Sequence, residues 1–160
     1  MLNNLKKIPI AVFAFITAIF LVSCVMPKDK VISSLGEYED HVFFTWGEFQ
    51  DYTDYAKYYL NCAEVDDNRY LKRMQESDFA NFNRHLDDFE AWIEILKDRD
   101  ASREIVVNYD FVRATMDTED YIYIDSEETT RSDGKTAFIK YDIYFFDAQT
   151  QILYYFHNNL

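Results

Sequence analysis

The sequence predicts an α+β fold in which N-terminal helices pack on one face of a four-stranded antiparallel meander. Three observations predict it. Apolar and aromatic residues recur at helical spacing between Thr45 and Asp98. From Arg103 onward the period changes to two. The chain holds 13 Tyr and 14 Phe but only 3 Gly and 2 Pro, the balance of a packed domain rather than a disordered one. The expected organisation is a leader over residues 1–23, a tether over 24–40 and a single domain over 41–160.

The first helix is expected at Thr45. Thr45-Trp46-Gly47-Glu48 has the spacing of a capping box, and Phe44 and Phe49 stand where a hydrophobic staple would sit. Trp46, Phe49, Tyr52, Ala56, Tyr59, Leu60 and Ala63 then recur at helical spacing, and the pattern fades near Asp66-Asp67-Asn68. A second helical region runs from Arg69 to Asp98. Phe79, Phe82, Leu86, Phe89, Ile93 and Leu96 form a seam that reads as core contact, and Ser77 is a cap that would divide the region.

Four strands are expected next. Ile105, Val107, Tyr109 and Phe111 mark the first, and Tyr121–Asp125 the second. Ala137, Ile139, Tyr141, Ile143 and Phe145 mark the third, and Ile152, Tyr154 and Phe156 the fourth. A loop over Asp147–Thr150 would pair Phe145 with Ile152 and Ile143 with Tyr154. That face is apolar and should meet the helices. The other face carries Lys140, Asp142, Tyr144, Phe146, Leu153, Tyr155 and His157, and should be wet on one side. The outline is similar to cystatin-like and nuclear-transport-factor-like folds, and an outline carries no function.

The leader has chemistry of its own. Lys6 and Lys7 precede an uncharged stretch from Ile8 to Met26, which is long enough for a signal-peptide core. Leu21-Val22-Ser23-Cys24 follows directly, and it resembles the bacterial lipobox. The resemblance covers the first 24 residues. It implies lipid attachment to the Cys24 sulfur, cleavage between Ser23 and Cys24, and a membrane contact made through that lipid. An uncleaved membrane helix is the competing reading, and both place the rest of the chain outside. Val25 stands where an aspartate would resemble an inner-membrane retention signal, so the expected site is the cell envelope, at the outer membrane where one exists.

Removing Lys6 and Lys7 with the leader leaves 14 basic residues against all 29 acids, a formal charge of −15. Such a surface repels nucleic acid and anionic headgroups, so no nucleic-acid partner is expected. With Cys24 lipidated, Cys62 is the one cysteine left, which rules out an internal disulfide; a buried apolar role is expected for it.

Catalytic motifs are sparse. His85 and Asp88 share a helix face but fall short of a metal site, and Ser132-Asp-Gly-Lys135 sits in a turn rather than at a helix start. The acidic loops Asp117–Asp120 and Ser126–Glu128 lack the spacing of a calcium loop. No catalytic residue, metal or cofactor is expected. Tyrosines are the suggestive feature, and Tyr144 and Tyr155 on the wetter sheet face are the expected partner contacts. The leading expectation is a membrane-anchored, non-catalytic protein-binding module. The alternatives are an immunity-type lipoprotein against a periplasm-delivered toxin, a cell-wall hydrolase with an unmarked carboxylate pair, and a structural or assembly lipoprotein.

Overall fold

The computed structural model describes residues 29–48, 51–61 and 65–159. Ser23, Cys24 and Cys62 lie outside the described residues. In chain order the elements are α1 (Lys30–Ser34), β1 (Tyr38–Glu48), β2 (Asp51–Leu60), β3 (Lys72–Arg73), α2 (Asp78–Arg99) and α3 (Glu104–Asn108). A 3₁₀ turn follows at Arg113–Thr115, then β4 (Tyr121–Thr130), β5 (Thr136–Asp147) and β6 (Ile152–Asn159). The strands form one six-stranded sheet in the order β1-β2-β6-β5-β4-β3, with every neighbouring pair antiparallel.

This corrects the expected four-stranded meander with N-terminal helices packed on it. The segment read as a first helix is the hairpin of β1 and β2. Its rings do recur at helical spacing, but Thr53, Asp54, Tyr55 and Ala56 are buried in succession. A strand buried on both faces shows no period of two, so a helical period can appear by coincidence. The supposed capping box also contains Gly47, whose φ of 139° belongs to neither a helix nor an ordinary strand. Within the second helical region, the helix begins at Asp78 after Ser77, and residues 69–77 are not helical.

The segment read as the first strand is α3 and an irregular crossing. Ile105 and Phe111 face the core there, while Val107 and Val112 stay exposed. The last two strands form as expected, but with their pairing shifted by two residues. Phe145 pairs with Tyr154 and Ile143 with Phe156, because the turn is Ala148–Gln151 rather than Asp147–Thr150. A shift of that parity leaves each side chain on its expected face.

Two crossings explain why both faces of the sheet are covered. The chain leaves β2 at one side and reaches β3 at the far edge, laying Val65 and Leu71 over one face with α1 and its Val31. It then leaves β3 and returns to β4, laying α2, α3 and Phe111 over the other face. The α2 seam matches the expected one: Phe82, Leu86, Phe89, Ile93 and Leu96 are buried, and Phe79 is partly so. The Phe82 ring stacks on Phe145 at 5.4 Å, and Phe89 meets Phe156 edge-on at 5.3 Å.

Polar ties lock both coverings. Arg113 grips Glu90 with two guanidinium nitrogens, at 2.7 and 3.1 Å, and Asp87 with a third at 2.7 Å. Tyr55 Oη donates to Asp110 Oδ1 at 2.7 Å, and Lys57 Nζ reaches Asp110 Oδ2 at 2.6 Å. On the other face Asp29 caps α1, accepting from the Val31 and Ile32 amides at 2.8 and 3.0 Å. Asn68 holds the Ser34 hydroxyl at 2.9 Å and the Leu71 amide at 3.1 Å, tying the crossing to α1. Helix α1 lies within the stretch expected to be a tether.

Candidate functional site

The two tyrosines expected to meet a partner lie on the face that α1 and the first crossing cover. Tyr144 retains 4 % of its surface. Its hydroxyl donates to Asp29, so it clamps α1 to the sheet. Tyr155 is half-buried and donates to Asp142 Oδ1 at 2.7 Å. Burial, then the neighbouring acid, pushes both phenols well above the ordinary tyrosine range.

Strand register gathers a polar row that no sequence spacing announces. Thr45 faces Asp54, Asp54 faces His157, His157 faces Asp142, and Asp142 faces Asp125, one residue from each of five adjacent strands. His157 Nδ1 lies 2.8 Å from Asp142 Oδ1, and a carboxylate there requires Nδ1 to carry the proton. Burial raises Asp142, but hydrogen bonds from His157 and Tyr155 outweigh it and hold the carboxyl below its usual range. Asp54 is 6 % exposed, and burial raises its pKa against a hydrogen bond from Thr45 and the nearby His157.

An acid orienting a histidine is half of a general-base arrangement. Here His157 Nε2 and Asp54 Oδ1 are buried without a hydrogen-bond partner among the described residues. The Tyr52 ring lies nearly flat on His157 at 4.5 Å. A base reaches a substrate proton only at hydrogen-bond distance, and this one is under a ring. Among the described residues no group of three or more His, Cys, Asp or Glu could hold a metal ion.

His85 is a core residue with 0 % exposure. Its Nδ1 lies 2.8 Å from the Asn81 carbonyl, and its ring packs on Phe138 at 4.3 Å. Burial lowers its pKa below the ordinary 6.5. The unfolded chain therefore binds the extra proton first as pH falls, and stability should decline from about pH 6.5 downward, by up to about 1.4 kcal/mol per pH unit. Denaturant unfolding of His85→Phe should lack this part of the slope between pH 6.5 and 5, whereas the wild type shows it.

Among the described residues, the outer side of β1 is a surface open to a partner. This strand lies at one edge of the sheet and is 11 residues long, whereas β3 at the other edge has 2. Phe43 is 48 % exposed and Tyr38 40 %. Tyr38, His41 and Tyr58 form a ring cluster with centroids 5.1 to 5.6 Å apart. Exposed Glu37, Glu39 and Asp40 lie beside it in the chain. The sequence reading missed this edge by giving residues through Asp40 to the tether and starting a helix at Thr45. The signal was present in Val42, Phe44 and Trp46 alternating with His41, Phe43 and Thr45, which separates half-buried from exposed positions.

Among the described residues no helix is long and apolar enough to cross a membrane. The chain matches no protein-family model, no curated protein and no solved structure.

Proposed function

We propose that this chain is an envelope lipoprotein, lipidated on Cys24, whose domain binds a protein partner along the outer edge of β1 and performs no chemistry. The observation that carries the reading is the long β1 edge, unpaired among the described residues, with exposed Tyr38 and Phe43 near acids. An unpaired edge offers a row of backbone donors and acceptors to an added strand, and exposed rings supply side-chain contacts. The acids decide which strand. They repel a second copy of this chain and attract an extended segment rich in Lys and Arg.

The test uses the full chain in non-ionic detergent and two fluorescent octapeptides that alternate valine with lysine or valine with glutamate. The lysine peptide should bind, and rising salt should weaken it. Glu39→Lys with Asp40→Lys, and separately Phe43→Asp, should each reduce its affinity at least tenfold. Equal binding of both peptides, or no response to either substitution, would reject the reading.

A further inference from the structure

A cavity of about 700 Å³ opens where the β1–β2 hairpin meets the end of α2. That volume suits a small ligand. Among the described residues its lining includes Trp46, Trp92, Arg99 and Arg103, with Tyr52 and one acid, Asp51. The chain contains only two tryptophans, and both stand in this wall.

The arginines are unusual for so acidic a chain. Arg99 makes no ion pair or hydrogen bond among the described residues. The Arg103 guanidinium sits 5.5 Å over the Trp46 ring, and its Nε is buried without a hydrogen-bond partner among the described residues. The nearest carboxylate to Arg103 among the described residues, Asp100, stays 4.0 Å away and accepts from the Ser102 hydroxyl at 2.6 Å and its amide at 3.1 Å. Elsewhere Arg113 and Arg84 are closely paired with acids.

We infer that this cavity binds a small aromatic anion, with its carboxylate or phosphate on Arg99 and Arg103 and its ring between Trp46 and Trp92. A guanidinium offers a planar fork that matches either head group, and a buried donor without a partner favours an anion that completes it. Indole walls favour a flat apolar body. The excess of acids outside the cavity disfavours polyanions, which limits the ligand to a small molecule of low charge. The lining differs from the Tyr38–Phe43 surface, so either proposal can fail without the other.

Intrinsic fluorescence reads the site directly, because no tryptophan lies elsewhere. The full chain in non-ionic detergent is titrated with benzoate, phenyl phosphate and uncharged benzamide, and heats are followed in parallel by calorimetry. At least one of the two anions should shift the tryptophan emission with saturation, and which of them binds tighter identifies the head group. Benzamide should bind at least tenfold more weakly. Arg99→Gln, at the exposed end of α2, should keep the wild-type melting temperature and lose at least tenfold in affinity, and Arg103→Lys should also bind more weakly. Absence of a saturable response to both anions, benzamide binding as tightly, or a folded Arg99→Gln that binds like wild type would overturn the inference.

Discussion

Replacing Gly47 with alanine should destabilise the domain by at least about 3 kcal/mol, the sum expected for a strained backbone and a forced overlap. For a domain of this size that lowers the melting temperature by roughly 10 °C. Two independent facts combine at this position. The φ of 139° lies where L side chains are rarely found. A Cβ built there would meet the Asp51 carbonyl oxygen at 2.2 Å and the Tyr52 Cα at 2.6 Å, both backbone atoms. Neither can swing aside as a side-chain end would, so the β1–β2 hairpin must open. Gly134→Ala is the control. It has a φ of 80° but nothing within 4 Å, so it bears the backbone strain alone, about 1–2 kcal/mol. Chemical denaturation of both variants should separate them. Equal midpoints would show that the hairpin does not pass as closely as described.

Replacing Cys24 with alanine should abolish lipid labelling and, once the leader is removed, release the protein from the membrane. Two or more acyl chains hold a protein stably, at about 0.8 kcal/mol per buried methylene, whereas a formal charge of −15 after the leader gives the domain no attraction to anionic headgroups. Radiolabelled palmitate should therefore enter the wild type and not the variant. Processing must be followed on the same gel, since an uncleaved leader would itself hold the chain in the membrane. Equal labelling of both proteins would reject the anchor. The docking of α1 adds a distance. Asp29 is five residues from Cys24 and already caps α1, so the span between them is at most about 18 Å. The domain would then lie close to its lipid, nearer than the reach of a fully extended tether over residues 24–40.

The later half of the fold was legible because its signals are local. The α2 seam repeats on one face of a single helix, and β5 and β6 alternate cleanly enough to set their faces even with the turn misplaced by one residue. The hairpin of β1 and β2 was not legible, because β2 lies inside the sheet with both faces buried and its pattern is set by neighbours far away in sequence. The same dependence hid the polar row. Thr45 and His157 come together only through two strand registers, and no spacing between them is meaningful. Tyr144 and Tyr155 were placed on their correct face, but that face is covered by α1, which precedes β1, and by residues 65–71 of the crossing between β2 and β3. Short segments such as α3 carry too few residues for a period to be decisive.

Burial of the expected contact tyrosines moves attention to the edge of the sheet, where Tyr38 and Phe43 remain open. In an edge strand only alternate backbone amides bond to the one neighbour, so the others exchange freely with solvent until something pairs with them. Hydrogen exchange of the β1 amides, with and without the lysine–valine octapeptide, is the most direct test of this surface. Strand addition predicts that the outward amides between Tyr38 and Trp46 slow at least tenfold on binding, while those already paired with β2 change little. Binding that leaves every β1 amide unchanged and protects another part of the domain would contradict it.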